Sequence, residues 1–442
     1  MKKVCVIGGG ASGLMAACIA AENGNDVSLI EKNEKLGKKI YITGKGRCNL
    51  TNDVLPTDFL QKVVRGKKFM YGAIYAFTPQ DCMAFFSERG LSLKTERGGR
   101  VFPTSDHASD VTKTLERACK NAGVKIFLNE TVVDLLVKPY DANAENGEIK
   151  PREDERLANE SGKKGKSSSS DKAIERQVAG VKTDKRELLC DTVIVCTGGK
   201  SYPTTGSTGD GYVFAQKLGL KTVELRPGLC GIDLKGDFYK PLQGLVLKNV
   251  SISACVRGKK VYDEFGETLF THFGISGPIV LSLSSLINRE NLKDVTLSLD
   301  LKPALNEETL DKRLLRLFDE FKNKTVANAA VDLLPQRLVG AVLAVARLSA
   351  EKRCNSVTKE ERARLIAALK SFPMTPVALR GFNEAIITSG GVDLSEINPK
   401  TMDVKRVKGL KICGETLDLD AFTGGYNLQI AFSTGYLAGK NV

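Results

Sequence analysis

The stretch Val4-Cys5-Val6-Ile7-Gly8-Gly9-Gly10-Ala11-Ser12-Gly13-Leu14-Met15, read together with Val27-Ser28-Leu29-Ile30-Glu31, decides the fold. Four apolar residues make a short run of the kind buried as a parallel strand. Glycines follow at 8, 10 and 13, and an Ala-rich segment, 14–23, reads as a helix ended by Gly24. A second apolar run ends on Glu31, 18 residues beyond Gly13. Strand, glycine turn, helix, strand and acid are the parts of a dinucleotide-binding βαβ unit. The first glycine makes the tight turn, the second lets a pyrophosphate approach the backbone, and the third lets helix pack on strand. The anion sits against unpaired N–H groups at the helix start. Gly8, Gly10, Ala11, Ser12 and Gly13 are therefore expected around a pyrophosphate, with Glu31 accepting from ribose hydroxyls.

Lys2-Lys3 followed by the uncharged run 4–21 also has the outline of a signal peptide or a membrane span. The glycines argue against both, because they weaken a membrane helix and stand where the nucleotide turn needs them. With no other long apolar run, the expectation is a soluble cytoplasmic protein without a membrane partner.

The chain has 442 residues, enough for two or three domains, with 42% apolar and 26% charged residues. Its formal charge of +13 is compatible with nucleic acid, membrane headgroups or anionic small molecules. No helix-turn-helix, RNA-recognition or zinc-finger signature is present and Trp is absent, so no stable nucleic-acid partner is expected. Eleven cysteines, an odd number without a C-x-x-C pair, argue against a disulfide framework and a metal site.

Outward from the N-terminal unit, 110–121 reads as a helix, with strands at 124–128 and 132–137. Residues 141–176 carry nine acidic and eight basic side chains and almost no apolar ones. Such a segment cannot offset its ordering entropy and is expected as a flexible surface insertion. A strand at 188–196 runs into Thr197-Gly198-Gly199, and 211–218 reads as helix. Short alternating runs (245–247, 250–255, 295–299) then suggest an antiparallel, barrel-like insert. Helices are expected at 307–317, 326–334, 338–349 and 359–369, a strand at 382–388, a last buried strand at 410–413 and a last helix at 426–438. The fold class expected is α/β: a split Rossmann-type nucleotide domain (1–221 and 396–442) holding a β-barrel insert (222–305, returning over 373–395) and a helical insert (306–372).

The βαβ unit alone does not choose between FAD and NAD. The residues after it do: Lys32, Lys39 and the loop Thr43-Gly44-Lys45-Gly46-Arg47-Cys48-Asn49 suit a long phosphate-bearing ligand, and no second G-x-G-x-x-G marks a separate nicotinamide domain. Thr197-Gly198-Gly199 and Gly414-Glu415 end strands, where the ligand edge of an open α/β sheet lies. Gly424 and Gly425, before Asn427 and Leu428, leave N–H donors exposed at a helix start. Aimed at a flavin pyrimidine ring, they would stabilise negative charge there. Otherwise they are a plain helix cap. Val133 completes the candidate FAD contacts.

Side chains for proton transfer are few. His272, in the Gly/Pro-bounded stretch Phe270-Thr271-His272-Phe273-Gly274-Ile275-Ser276-Gly277-Pro278, is a candidate general acid or a structural histidine. Tyr202 is a further donor. Cys48 beside Arg47 is either an activated thiol or an inert buried one. Arg47 and Arg100 are candidates for pairing a substrate carboxylate, Arg100 also for a structural clamp.

Seven stretches carry a resemblance: VIGGGASGLMAA (6–17), EKNEKLGKKIYITGKGRCNLTN (31–52), GGRVFPTSDHASDV (98–111), VIVCTGGKSYPTTGSTGDGY (193–212), GETLFTHFGISGP (266–278), GGVDLSEINPKTM (390–402) and CGETLDLDAFTGGYNLQIAFSTGYLAG (413–439). With them the chain resembles the bacterial FAD-dependent proteins described as aminoacetone-oxidase-like or bile-acid-reductase-like, over almost its whole length outside 141–176. The resemblance implies a split FAD domain with barrel and helical inserts, and either enone reduction in steroid acids or amine oxidation. Two departures stand out: Lys45 replaces a glycine of the family's Gly-Gly-Gly-Arg-Cys-Asn loop, and the 141–176 insertion is long. The run from Thr197 to Gly211 also resembles fumarate-reductase-type flavoproteins, which reduce activated C=C bonds.

Three functions follow as expectations. The first is an FAD enzyme that reduces an enone on a small molecule, with NAD(P)H as transient electron donor. The second is an FAD amine oxidase using O2. The third, suggested only by charge, is an FAD-dependent nucleic-acid-modifying or nucleic-acid-binding protein.

Overall fold

The strand Lys3–Ile7 (β1) is at the centre of the sheet that the opening segment specifies. The computed structural model describes residues 1–140 and 174–442, so the expected insertion at 141–176 lies outside the described residues except for its last three positions. Helix α1 (Ala11–Glu22) follows the glycine turn, then β2 (Asp26–Ile30), helix α2 (Lys38–Ile42), β3 (Lys125–Phe127), β4 (Thr192–Val195), β5 (Leu410–Ile412) and helix α3 (Tyr426–Lys440). The sheet is parallel in the order β5-β4-β1-β2-β3. Its strands are near-continuously apolar because both faces are covered. Helix α1 is buried almost all round, and its small residues let α3 pack beside it.

The chain divides into two compact units. Unit 1 holds Met1–Gly199, Thr204–Glu224 and Gly390–Val442; unit 2 holds Lys200–Pro203 and Leu225–Ser389. Each has its own apolar core. The sequence reading put 200–203 with the nucleotide domain and 390–395 with the insert; the contacts group them the other way.

In unit 2 a seven-stranded antiparallel sheet runs from Phe372–Met374 at one edge to Pro376–Leu379 at the other. Only Thr375 separates these edge strands in the chain, so the edges are drawn together into a barrel. The expected runs at 245–247 and 250–255 are one bulged strand, Val246–Val256, paired with Lys259–Phe270. Helices Glu307–Glu320, Val326–Ala330, Gln336–Ala346 and Lys359–Lys370 follow the periodicity of the sequence. They start on side-chain caps at Asn306, Thr325 and Thr358, except the third, which follows Pro335. The second is shorter than expected because Pro335 prevents 326–334 from running on as one helix.

Three further differences are local. The single strand expected at 188–196 is two, Glu187–Leu189 and Thr192–Val195, on different sheets. Residues 382–386 are a turn, and the strand begins at Ile387. Arg176, assigned to the flexible insertion, starts a strand paired with Val132–Pro139.

Candidate functional site: a dinucleotide edge and a proton-donor cluster

Register brings the glycine turns of unit 1 to one edge. Ile7 is level with Ile30 and with Val195, Val195 with Ile412, and Ile30 with Phe127. The residues that follow these ends are Gly8, Glu31, the run Cys196-Thr197-Gly198-Gly199, and Cys413-Gly414-Glu415. Four candidate segments from 8 to 415 thus share the carboxyl edge of one parallel sheet, the place where such sheets bind ligands.

The turn itself is tightly specified. A Cβ on Gly13 would stand 1.8 Å from the Gly8 carbonyl oxygen, whereas one on Gly10 would meet nothing within 4 Å. Helix α1 has neither a side-chain cap nor an acidic residue in its first turn, so its N–H donors face the space beside Gly10. Glu31 is buried; one oxygen accepts from the Gly9 N–H (2.7 Å) and the other from the Asn33 N–H (2.8 Å). The Asn33 side-chain amide also donates to that second oxygen (2.6 Å), and since a carboxylate has about four acceptor positions, the oxygen facing Gly9 keeps one for a ribose hydroxyl. Glu31→Ala is expected to cut FAD affinity by about tenfold or more, since a charge-assisted hydrogen bond contributes about 1.5–3 kcal/mol. Equilibrium flavin release checks this, and unchanged affinity would remove Glu31 from the site.

Helix α2 begins where the Gly37 N–H donates to the Gly9 carbonyl, and the 43–49 loop follows it. That loop leads to Thr51–Asn52, which lies against the start of α3: Asn52 Nδ2 donates to the Gly424 carbonyl at 2.9 Å. A Cβ on Gly425 would sit 2.3 Å from the Thr51 carbonyl oxygen, so only glycine fits this close approach. The segment 37–52, with this loop inside it, therefore runs from the start of α1 to the start of α3, both uncapped by side chains. Asn49 Oδ1 is buried there without a hydrogen-bond partner. An uncapped helix start with open space, an orphaned buried oxygen and a buried acid at the second strand's end fit FAD.

Other candidates have partners within the chain. Lys32 pairs with Asp210 (2.6 Å), and Lys39 pairs with Glu415 (2.8 Å), so two predicted contacts meet each other. Asn427 fastens the 421–422 backbone through bonds to Ala421 and Phe422, and Leu428 packs at the core. Thr197 Oγ1 accepts from the Gly211 N–H. Val133 is exposed at a bulge of its strand.

Two sequence expectations need correction. Arg47 is no free clamp for a substrate carboxylate: its guanidinium pairs with Glu96 and Asp106 and lies over Phe102. Arg100, half exposed, pairs loosely with the same Glu96 at 3.9 Å. Cys48 is not an activated thiol. It is fully buried, and burial pushes its pKa up to about 12, so the thiol stays protonated at neutral pH. Iodoacetamide at pH 8 is expected to leave Cys48 unlabelled in the folded protein and to label it after denaturation, as read by peptide mass spectrometry.

Unit 2 gathers the remaining candidates around 380–388. The Tyr202 N–H donates to the Phe382 carbonyl (2.9 Å), and Tyr202 holds a left-handed φ of 51°. Such strain in a non-glycine residue clusters at functional sites. His272 is exposed, its ring edge-on to Phe273 at 5.0 Å. Arg380 lies over the other ring of that pair, 4.5 Å from the Phe273 centroid, and is fixed by Glu384 and by Asp233 at 3.7 Å. Burial raises the Asp233 carboxyl above its ordinary range, and both Asp233 and Glu384 are close enough to act on His272 through charge. Sequence reasoning missed Asp233, Arg380 and Glu384. The only trace of them was the spacing of Arg380 and Glu384, four apart in a turn. Among the described residues there is no cluster suited to a metal ion, and no helix is long and apolar enough to cross a membrane.

Family models match both parts of the chain: the HI0933-like protein Rossmann domain over residues 2–158, and the HI0933-like protein barrel and H2TH domain over 226–387. A 3-dehydro-bile acid delta(4,6)-reductase of Clostridium scindens is 28% identical over all of this chain and 98% of its own length. A ribosomal RNA dihydrouridine synthase of Haemophilus influenzae is also 28% identical, over 99% of this chain and 97% of its own. The solved structure of 3-ketosteroid delta1-dehydrogenase from Sterolibacterium denitrificans shares the fold, with a TM-score of 0.51 at 12% identity, covering 99% of this chain and 98% of that one. With the dinucleotide edge and both domain models in agreement, the chain belongs to the HI0933-like family and is an FAD-dependent oxidoreductase.

Proposed function

We propose that this protein saturates a carbon–carbon double bond conjugated to a carbonyl, on a small steroid-like molecule, using electrons from NAD(P)H. The observation that carries this reading is that unit 2 ties two segments bearing proton donors to the 380–384 turn: the Tyr202 N–H donates to the Phe382 carbonyl, and Arg380 lies over Phe273, the neighbour of His272. FAD held at the edge formed by Gly8–Gly13 and Glu31 would supply the hydride for the β-carbon. The protein must then deliver a proton to the α-carbon, and this is the role given to His272, with Tyr202 as the alternative donor. The names of the relatives support the same bond chemistry: a delta(4,6) bond beside a 3-oxo group is a dienone, and dihydrouridine is a uracil saturated beside its carbonyl.

Anaerobic reduction of the purified flavoprotein with NADH or NADPH, followed by a panel of enones and amines, tests the proposal. Bleaching by a nicotinamide and reoxidation by an enone are expected. Indifference to enones together with fast reoxidation by air after reduction by an amine would replace it with an oxidase. A second reading, in which the conjugated bond belongs to RNA, draws on the charge of +13 and on the dihydrouridine synthase relatives. Retention on heparin with a steep salt dependence would favour it.

A further inference from the structure

The 43–49 loop holds a cation whose environment differs from that of its neighbours. Lys45 has φ 58° and ψ 42°, left-handed, between Gly44 (φ 57°) and Gly46 (φ 84°). Glycine takes this conformation at little cost; a lysine is strained in it. Strain of this kind persists where a side chain is needed for function. Most other cations of the stretch 32–47 are committed to acids: Lys32 to Asp210, Lys38 to Glu34, Lys39 to Glu415 and Arg47 to Glu96 and Asp106, while Lys35 lies over the Tyr41 ring. Lys45 is exposed and, among the described residues, has neither an ion-pair nor a hydrogen-bond partner. It stands on the loop between Gly37, bonded to Gly9 before α1, and Thr51–Asn52, packed on the start of α3; the same loop carries the orphaned Asn49 oxygen.

We infer that Lys45 is a specificity-determining residue whose ammonium binds a single carboxylate on the substrate, an inference that rests on the enone reading above. Because Arg47, the other cation of the 43–49 loop, is neutralised in place, the loop itself offers one unpaired cation. That suits a monoanion; a nucleic-acid backbone calls for a continuous basic stripe. A lysine also fits this task as a point charge on a flexible stem, without the fixed geometry of a guanidinium fork.

The test uses the FAD-loaded protein and two probes, 3-oxochol-4-en-24-oic acid and its neutral methyl ester, with binding read by calorimetry. The parent is expected to prefer the acid by about tenfold, a typical value for one charge-assisted contact. Lys45→Gln should abolish that preference, Lys45→Arg should keep most of it, and flavin content should not change in either. Lys45→Gly should lose the preference while raising the melting temperature by about 2 °C, because glycine relieves the left-handed strain. An acid-to-ester ratio unchanged in Lys45→Gln overturns the inference. So does a Lys45→Gly protein that melts no higher than Lys45→Gln. Should the parent bind neither steroid, the enone reading has failed; Lys45 is then judged with benzoate, whose binding must vanish in Lys45→Gln. No benzoate binding to the parent, or loss in Lys45→Gln of affinity for a uridine oligonucleotide instead, overturns the carboxylate site itself.

Discussion

Gly10→Ala is expected to fold normally and yet lose FAD affinity by about a hundredfold, close to 2.7 kcal/mol. The reason is geometric. A Cβ at residue 10 meets no protein atom within 4 Å, so the apoprotein has no clash to relieve. The backbone there is ordinary, with φ −84°, so alanine brings no strain. The added methyl group instead occupies the space into which the N–H groups of α1 open, where the pyrophosphate must approach the main chain. Gly13→Ala is the contrasting case. Its Cβ would be 1.8 Å from the Gly8 carbonyl oxygen, a backbone atom that cannot swing away. The turn or the helix must shift, at a cost of about 3 kcal/mol or more. Soluble yield, melting temperature and flavin titration separate the two variants. A Gly10→Ala protein that holds FAD as tightly as the parent would move the pyrophosphate away from this turn. One that fails to fold would show that the space beside Gly10 is filled by the protein.

The second large effect is expected at His272. His272→Ala should leave reduction of the bound flavin by NAD(P)H nearly unchanged and slow reoxidation by an enone about 10²–10⁴-fold, the usual contribution of a positioned general acid. Stopped-flow absorbance resolves the two half-reactions. Tyr202→Phe, which keeps the ring and removes the hydroxyl, should slow the same step by less than about tenfold if the imidazole is the donor. The reverse order of effects would give the proton to Tyr202. If both variants reoxidise at the parent rate, the acid lies elsewhere and the grouping around 380–388 is structural. Asp233 and Glu384 act on His272 through charge, and Arg380, which pairs with both, lies over Phe273, so a change at Arg380 should disturb the ring's setting without removing the donor.

The nucleotide edge was readable in the sequence because each part of it is local. A strand that ends on a glycine, a helix that begins without a capping side chain and an acid closing the next strand are set within about thirty residues. Parallel pairing then aligns strand ends, so Thr197-Gly198-Gly199 and Gly414-Glu415 were placed correctly at the carboxyl edge from their own apolar runs. Even the barrel and the helices followed from alternation, periodicity and caps. What the sequence could not decide was which charges find each other. Arg47 looked available until the fold put Glu96 and Asp106, some fifty to sixty positions along the chain, against its guanidinium. Cys48 could be read from sequence as activated by that arginine or as buried and inert; packing removed it from water, and desolvation outweighs a neighbouring charge that is already neutralised. Likewise the segments that carry Tyr202 and His272 meet the same turn, at Phe382 and, through Phe273, at Arg380, and that turn has no periodic signal of its own. Backbone geometry and hydrophobic pattern are short-range properties that a sequence states directly. The protonation and pairing of a side chain depend on burial and on partners far along the chain, and those only the tertiary structure decided.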